Sequence, residues 1–370
     1  MLQKIAILGA SVAQKELYEK AHDLGLYVIG FSWINASECS SMADKFYPIS
    51  ITETEKIIEV CKEEHVDGVV SNCSELAATC VSYVTQRLGL DGIPYEVICF
   101  VQDKHKMRNF TNRINGFTPI KCNLFSDGEK ISLPCVVKPC HSSAKKGVSY
   151  ANTMELFKKG VEYAKQYADD GILIEEYVEG QEVSVETISV RGEHHIVQIT
   201  DKDSYGAPHF LELGHHQPSQ LPIAIKDKIK ETILRLLKEL NYTTGAAHIE
   251  VKINNGQMYF IEFNPRGGGD FISTKLTYLS TNYDYVKAIV MAALGRLLPF
   301  PQFMQNNMYS GVYMLTEQTG FLLDMFNNAE GKEWLVEKRI LTNHLTESST
   351  NNDRNGYLIY QSDHKVLPNE

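Results

Sequence analysis

Two runs of alternating apolar residues, 248–253 (HIEVKI) and 258–263 (MYFIEF), flank the turn-forming sequence 254–257 (NNGQ). An alternation of period two is typical of half-buried strands, and Asn-Gly between two such runs is a strong hairpin signal. The sequence therefore predicts a β-hairpin with one apolar and one polar face.

The length of the turn decides which side chains of the hairpin face each other. A two-residue loop at Asn255-Gly256 would set Glu250 opposite Ile261 and would mix polar with apolar side chains on both faces. A three-residue loop that also includes Gln257 keeps one face apolar, so we predict this register. It pairs the following residues, in order: Ile249, Val251 and Ile253 with Phe263, Ile261 and Tyr259. It also places Glu250 directly across from Glu262.

The opposed carboxylates suggest a metal site. Like charges that face each other on a sheet destabilise it unless something lies between them. Glu250, Glu262 and Asn264, one step further on, would present oxygen ligands of the kind that Mg²⁺ prefers. A solvated sheet face with merely exposed acids remains an equal alternative from these residues alone.

Composition narrows the class of partner. The chain has 370 residues, enough for two or three domains, and a net charge of -10 without a basic block. This argues against a nucleic-acid partner and for small molecules. Eight cysteines at irregular spacings suggest neither a disulfide framework nor a zinc site. No leader pattern and no apolar run of about 18 residues is present, so we expect a cytoplasmic protein without a membrane segment.

Residues 1–95 alternate short apolar runs with amphipathic stretches, which predicts an open parallel sheet. Gly9-Ala10-Ser11 follows the first strand but has one glycine where a dinucleotide fingerprint needs three, so an NAD site is not favoured. A plain structural turn is the simpler interpretation. The alternative is a ligand edge at which Ser11 or Glu75 contacts a substrate.

Later segments change pattern. We predict a connecting helical region at 96–116, a smaller α+β unit at 117–190 and a larger α+β region with the hairpin at 191–300. Residues 301–370 are predicted to form an α+β extension that packs on the larger region. Between a strand at 195–200 and a helix from 225 we expect a long loop that carries Asp201, Tyr205, His209, His215, His216 and Pro218. Its histidines are interpreted as ordinary loop residues rather than as a metal site.

Two segments before the hairpin suit a nucleotide. Lys138 ends a buried strand and is followed by Pro139 and the polar loop 141–147 (HSSAKKG), whose N–H, hydroxyl and ammonium groups suit phosphate oxygens. Surface loops often have this composition, so the loop alone is weak support. Residues 174–186 (IEEYVEGQEVSVE) predict strand, turn, strand, where backbone groups could meet adenine and Glu182 could accept hydrogen bonds from ribose hydroxyls.

The order of these motifs resembles the ATP-grasp superfamily, and within it the carboxylate–amine ligases that include L-amino acid ligases. The similar segments are DKxxxR at 103–108, VVKP with its loop, EEYVEGQEVSVE, HIEV, and IEFNPRGGG at 261–269. The resemblance covers about residues 1–300. It implies an α/β and α+β protein: an ATP-grasp fold preceded by an open parallel-sheet domain.

The resemblance also implies roles for individual residues. Nucleotide contacts would come from Lys104 and Lys138 at the α- and β-phosphates, Ser142, Ser143, Lys146 and Gly147 in a mobile lid, Glu175, Glu176, Tyr177 and Val178 at adenine, and Glu182 at ribose. Mg²⁺, or Mn²⁺ in its place, would bind Glu250, Glu262 and Asn264. Catalytic roles would fall to Lys138, to Arg266 facing an acyl phosphate, and to the backbone of Gly268 facing an oxyanion. The lid departs from the commoner pattern at His141, Ala144 and Lys145.

The activity that the resemblance implies is the ATP-dependent joining of a small carboxylic acid, expected to be an amino acid, to an amine through an acyl phosphate, with release of ADP and phosphate. The alternatives are a bicarbonate-activating relative and a catalytically silent nucleotide-binding protein. The resemblance also implies a homodimer. The sequence assigns neither the two substrates nor a general base.

Overall fold

The computed structural model describes residues 2–72, 74–128, 130–142, 145–207, 210–301, 308–342, 344–348 and 353–369. Three residues singled out above, Ser143, Ala144 and His209, lie outside these ranges. The described residues form three sheets with helices packed against them.

The first sheet is parallel and has the strand order β3-β2-β1-β4. Its elements are β1 Lys4–Leu8, α1 Lys15–Asp23, β2 Tyr27–Phe31, β3 Lys45–Tyr47, α2 Thr54–Glu64, β4 Gly68–Val70 and α3 Glu75–Leu88. The apolar runs form its strands because both faces are covered by helices. Helix α3 begins where the Ser74 hydroxyl accepts a hydrogen bond from Ala77 N at 3.0 Å. The prediction of an open parallel sheet is confirmed.

Two short helices lead to the second sheet: α4 Tyr95–Gln102 and α5 Lys104–Thr111. Asp103 separates them, and its carboxylate accepts a hydrogen bond from Lys106 N at 2.9 Å. This cap starts α5 at Lys104 and so fixes where the Lys104 side chain leaves the helix.

The second sheet is small and antiparallel, with the order β5-β8-β6-β7. Its elements are β5 Cys122–Leu124, β6 Cys135–Pro139, β7 Ser149–Ala151, α6 Met154–Lys165 and β8 Ile172–Glu176. Helix α6 covers one face through Phe157 and Val161, which pack on Val137 and Ile174. We call residues 117–176 the small subdomain.

The third sheet has eight strands in the order β13-β12-β9-β10-β11-β14-β16-β15. Its strands are β9 Gln181–Val190, β10 Glu193–Ser204, β11 Glu212–Gln217, β12 Gly245–Asn254, β13 Gln257–Asn264, β14 Tyr309–Leu315, β15 Leu335–Ile340 and β16 Gly356–Ser362. Its helices are α7 Ile223–Glu239, α8 Thr277–Thr281, α9 Tyr285–Ala293 and α10 Leu323–Asn328, with a π-helical turn at Ile272–Leu276 before α8.

The large sheet differs from the predicted organisation in three places. Strand β9, which we assigned to the smaller unit, pairs with β10 and β12 of the large sheet. Residues 301–370 supply β14, β15 and β16 of this sheet and are not a separate extension. The predicted long loop contains strand β11, so His215 and His216 lie in a strand. The sequence of β11 (ELGHHQ) has no apolar alternation, so no strand was predicted there. Its histidines are buried in ion pairs instead of apolar contacts.

The hairpin shows why its turn was predicted incorrectly. Asn255 and Gly256 both have positive φ, 50° and 75°, as a two-residue type I′ turn requires, and Asn254 pairs with Gln257. A β-bulge then adds one residue, Ile261, to β13, so that Glu250 pairs with Glu262. The three-residue loop is therefore wrong, and so are the predicted pairs Val251–Ile261 and Ile253–Tyr259. The pairs Ile249–Phe263 and Glu250–Glu262 are confirmed.

Candidate active site

A buried ion triad joins the small subdomain to α5. The Glu175 carboxylate of β8 lies 2.7 Å from Arg108 Nε and 2.5 Å from Lys138 Nζ, and all three side chains are largely buried. Burial alone would raise the pKa of Glu175, but the two cations lower it to about 2. Burial lowers the pKa of Lys138, against the opposing attraction of Glu175. Arg108, which the sequence suggested only as part of DKxxxR, holds the triad in place by donating to the carbonyls of Phe260 and Ile261.

Lys104 connects the lid segment with the hairpin that carries the predicted metal ligands. Its Nζ donates to the Ser142 carbonyl at 2.6 Å and lies 3.4 Å from Glu262 Oε1. The Ser142 hydroxyl is buried and has no hydrogen-bond partner in the described part of the chain. The Lys104 ammonium therefore lies between the small subdomain and the hairpin, beside the Ser142 carbonyl.

The lid segment also contacts β11. Lys145 Nζ donates to the Phe210 carbonyl at 2.6 Å and to Glu212 Oε1 at 3.1 Å. Lys146 is exposed, and Gly147 has a φ of 76° with Pro139 so close that a side chain would not fit. The lid is therefore tied across to the large sheet by one ammonium group, while Lys146 stays in solvent.

The predicted adenine segment follows β8. The Glu176 and Tyr177 N–H groups donate to the carbonyls of Lys121 and Pro134, and the Val178 carbonyl accepts from Lys252 Nζ at 3.2 Å. The same ammonium lies 5.2 Å from the centroid of the Tyr177 ring. These contacts order the segment and leave other backbone groups to face a ligand.

A lysine that the sequence reasoning missed lies at the centre of the site. Lys202 of β10 is almost fully buried, and its Nζ lies 2.9 Å from Glu182, 3.2 Å from Glu212 and 2.6 Å from Glu250. Burial would lower the pKa of Lys202, but the three carboxylates raise it well above its usual value. Burial would likewise raise the pKa of Glu250, which Lys202 and His248 hold well below its usual range. Lys202 was missed because it lies in the predicted loop after residue 200 and belongs to none of the motifs.

The predicted metal ligands are close together. Glu250 and Glu262 pair across the hairpin, and Asn264 lies in the same strand as Glu262. A cavity beside them is lined by residues of β13, α3, α4 and α5: Glu75, Val101, Gln102, Lys104, Met107 and residues 260–264. Two carboxylates and an amide oxygen are suitable ligands for a hard cation. Both carboxylates already lie close to a positive charge, Glu262 to Lys104 and Glu250 to Lys202. The donor set therefore fits Mg²⁺.

The turn after β13 is tied to this hairpin. Gly268 N donates to Glu186 Oε2 at 2.9 Å, and Glu186 Oε1 lies 2.5 Å from His248 Nδ1. The other ring nitrogen of His248 lies 3.2 Å from Glu250. Burial would lower the pKa of His248, but the two carboxylates raise it to about 9. The Gly268 N–H is thus engaged within the protein, whereas Arg266 Nη1 donates to the Gly267 carbonyl at 2.9 Å.

His215 has partners that the sequence did not reveal. Its Nε2 lies 3.4 Å from Asp270 and 3.6 Å from Glu212, and these three side chains could in principle share a cation. Arg354, Lys145 and Lys202 already pair with the two carboxylates. The cluster therefore extends the charged network of the site towards the C-terminal strands.

Within the ranges that the structure describes, no helix combines the length and the apolar character that crossing a bilayer requires.

The sequence and the fold were compared with those of known proteins. Residues 131–275 match the model of the ATP-grasp domain. The formate-dependent phosphoribosylglycinamide formyltransferase of Sulfurovum sp. (strain NBC37-1) is 23% identical over 318 residues, which are 80% of this chain and 78% of that protein. The same-named protein of Hydrogenovibrio crunogenus is 25% identical over 321 residues, 82% of this chain and 78% of the relative.

A solved structure, that of an L-amino acid ligase from Bacillus licheniformis, superposes with a TM-score of 0.81 at 20% identity and covers 98% of this chain and 94% of its own. Phosphoribosylglycinamide synthetase from Anaerococcus prevotii gives 0.76 at 19% identity, with 99% and 95% covered. The match to the domain model identifies an ATP-grasp domain at residues 131–275, and the solved structures show that the chain shares their fold.

Proposed function

We propose that the protein is a carboxylate–amine ligase that uses ATP and Mg²⁺, forms an acyl phosphate, and releases ADP and phosphate as it makes an amide bond. The observation that carries the proposal is the meeting of Lys104, Glu262 and Asn264 in one cavity, with Glu250 paired to Glu262. These groups come from α5 and both strands of the hairpin. Phosphate-binding and metal-binding groups thus face the same small volume.

ATP would lie between the small subdomain and the large sheet. Adenine would meet the carbonyl of Glu176 and the N–H of Val178, because the N–H of Glu176 and the carbonyl of Val178 are already engaged. Glu182, now paired with Lys202, would accept hydrogen bonds from the ribose hydroxyls. The α- and β-phosphates would contact Lys104 and Lys138. The lid segment would close over the remaining phosphate through Ser142, Lys146 and Gly147.

Charge neutralisation is what the reaction needs, because both the carboxylate substrate and ATP are anions. Bound at Glu250, Glu262 and Asn264, Mg²⁺ would neutralise the phosphates and align the transferred group. Lys138 forms an ion pair with Glu175, and three carboxylates hold the pKa of Lys202 well above its usual value. Both can therefore stabilise charge on the transferring phosphoryl group.

The carboxylate oxygen attacks the γ-phosphorus, and the bond to ADP breaks. The amine nitrogen then attacks the acyl carbon, the bond to phosphate breaks, and the nitrogen loses a proton. Arg266 would hold the acyl phosphate, and the lid segment would keep water from it. Lys145, which links the lid to the Phe210 carbonyl and Glu212, supports such closure.

The carboxylate is proposed to be an amino acid, in keeping with the fold shared with an L-amino acid ligase. The relatives at 23–25% identity are named for a formate-dependent reaction, so formate is the second candidate.

The test is to incubate the full chain with ATP, Mg²⁺ and pooled amino acids, formate or bicarbonate, and to measure ADP and phosphate. Products are identified by mass. With an ¹⁸O-labelled carboxylate, an acyl phosphate transfers one label to phosphate. Unlabelled phosphate with amide product would contradict the proposed intermediate, and no ADP with any carboxylate would favour a silent nucleotide-binding protein.

A matched pair of variants tests the metal site. Glu262→Gln removes one charge from the proposed Mg²⁺ ligands and should reduce turnover at least about a hundredfold, with partial recovery at high Mg²⁺. Glu231→Gln removes the same charge from an exposed position on α7, where Glu231 pairs with Arg235, and should not change turnover. Equal activity of the two variants would refute the assignment.

A further inference from the structure

Glu186 of β9 is a fully buried carboxylate close to the proposed metal ligands, with 0% of its surface exposed. Burying a carboxylate is costly unless hydrogen-bond donors satisfy it. Two donors do so here: Gly268 N lies 2.9 Å from Oε2, and His248 Nδ1 lies 2.5 Å from Oε1. The first donor belongs to the turn after β13 and the second to β12. Glu186 therefore joins two separate parts of the site.

His248 extends this connection to a proposed metal ligand. Its second ring nitrogen, Nε2, lies 3.2 Å from Glu250 Oε1. The side chain of His248 is buried, and a rotation of its ring would break the contacts with both carboxylates. The sheet register supports the same arrangement, because His248 pairs with Glu186 on β9 and with Asn264 on β13. The ring is therefore fixed between Glu186 and the Glu250 carboxylate.

The contacts of Glu250 use one of its two oxygens. Lys202 Nζ lies 2.6 Å and His248 Nε2 lies 3.2 Å from the same atom, Oε1. In the part of the chain that the structure describes, the hydrogen bonds and ion pairs of Glu250 all go to Oε1. Two donors on one oxygen fix the direction of the carboxylate and leave Oε2 available for a cation.

The turn after β13 packs on the same contact. We call residues 266–269 the glycine turn. The Gly268 carbonyl accepts a hydrogen bond from Ser273 Oγ at 2.6 Å, so Gly268 is held on both sides. A Cβ on Gly268 would lie 2.7 Å from Glu186 Oε1 and 2.8 Å from His248 Nδ1. A change in the glycine turn would therefore displace the Glu186–His248 contact.

We propose that Glu186 and His248 are positioning residues of the metal site: they hold the Glu250 carboxylate with Oε2 towards the cation and couple its position to the glycine turn. The inference rests on the proposed function for the cation itself. Partners that orient metal ligands typically change metal affinity by about ten- to a hundredfold without touching the metal. The contacts Gly268–Glu186–His248–Glu250 should therefore transmit a change in the glycine turn to the metal.

Metal binding tests the positioning role without turnover. The full chain is titrated with Mn²⁺ in the presence of a non-hydrolysable ATP analogue, and free Mn²⁺ is measured by electron paramagnetic resonance. In His248→Asn the amide nitrogen can take the place of Nδ1 and keep the contact with Glu186, whereas the contact with Glu250 is lost. The dissociation constant for Mn²⁺ should rise about tenfold, with Tm nearly unchanged. His248→Gln, whose longer amide can reach Glu250, should recover part of the affinity.

A control variant and a ligand variant complete this test. His194→Asn is the control, because His194 lies on β10 and its Nδ1 pairs with Ser189 Oγ at 2.8 Å. A loss of Mn²⁺ affinity in His248→Asn no larger than in His194→Asn would overturn the proposal, whatever the change in Tm. Glu262→Gln alters a proposed ligand itself. If it weakens Mn²⁺ binding and His248→Asn does not, the metal site stands and the positioning role fails. If Glu262→Gln has no effect, the metal assignment fails.

A change in the glycine turn tests the coupling. Gly268→Ala should raise the dissociation constant for Mn²⁺ about fivefold, whereas Gly269→Ala, where a Cβ meets open space, should not raise it. In a chain that already carries His248→Asn, Gly268→Ala should have less than about a twofold further effect, because the route through His248 is lost. An equal effect of Gly268→Ala with and without His248→Asn would contradict the proposed coupling.

Discussion

Replacing Lys202 with methionine is the sharpest test of the electrostatic account. The Lys202 ammonium lies between the carboxylates of Glu182, Glu212 and Glu250, and its side chain is 1% exposed. Methionine has a similar length and fills the same space, so the change removes a charge and creates little cavity. What remains is a group of buried acids without their central cation.

The expected loss follows from that imbalance. Removing one partner of a buried ion pair destabilises a protein by roughly 3–5 kcal/mol, since it leaves an uncompensated charge in a poorly solvated place. For a chain of 370 residues, an unfolding entropy of about 2.1 cal/mol/K per residue converts 4 kcal/mol into a fall of about 5 °C in Tm.

The loss of stability caused by Lys202→Met should become smaller as the pH falls. In the native protein the pKa values of Glu250 and Glu212 lie well below the ordinary 4.5, so their contribution is present above pH 4.5 and is lost as the pH falls. In the variant these acids lose the Lys202 ammonium, so burial raises their pKa values relative to the native protein, although Lys145 still pairs with Glu212 and His248 with Glu250. The variant therefore recovers stability as the pH falls and these acids are protonated. The difference between the two proteins should be largest near neutral pH and should shrink below about pH 5.

The assay is thermal and urea unfolding of both proteins between about pH 4 and pH 8, without Mg²⁺. Lys230→Met is the matched control, because it breaks an exposed pair with Asp227 and should cost less than about 1 kcal/mol at every pH. A Lys202→Met loss that stays constant with pH, or one no larger than that of the control, would refute the reasoning.

Three further outcomes follow from the site. Gly268→Ala should lower the free energy of unfolding by about 1–3 kcal/mol in urea titrations, because a Cβ there would lie 2.7 Å from a buried carboxylate oxygen. Gly269→Ala is the control: a Cβ there meets open space, so the free energy of unfolding should fall much less. Arg108→Met should raise the pKa of Glu175 and lower Tm by several degrees in calorimetry; an unchanged Tm would show that the triad is not needed for stability. Lys145→Ala should speed proteolytic cleavage of the lid segment at constant Tm, and unchanged cleavage would argue against the proposed tether.

The hairpin shows how far the sequence reasoning reached. The preference for one apolar face predicted the Glu250–Glu262 pair, and that preference was strong enough to be met through a bulge at Ile261. The turn itself followed the local preference of Asn255-Gly256 for a type I′ conformation. Two correct local rules were in conflict, and a one-residue bulge reconciled them. The sequence contained both rules but not the way in which they combine.

Strand β11 shows where sequence reasoning stops. Its polar residues are buried because they form ion pairs with distant segments. His215 pairs with Asp270, and Glu212 pairs with Lys202 and Lys145. Hydrophobic periodicity reports burial by apolar contacts, so it is silent on a strand stabilised by charge pairs.

The sequence alone therefore determined the parallel sheet, the hairpin and the order of the nucleotide motifs, since each depends on neighbouring residues whose spacing is visible. Only the tertiary structure decided which of those motifs meet and what neutralises them. It placed Lys202 among three carboxylates, and it placed Glu75, from the first sheet, in the cavity of Glu262 and Asn264. Such contacts join residues far apart in the chain, and their energies depend on distance and burial in the folded protein.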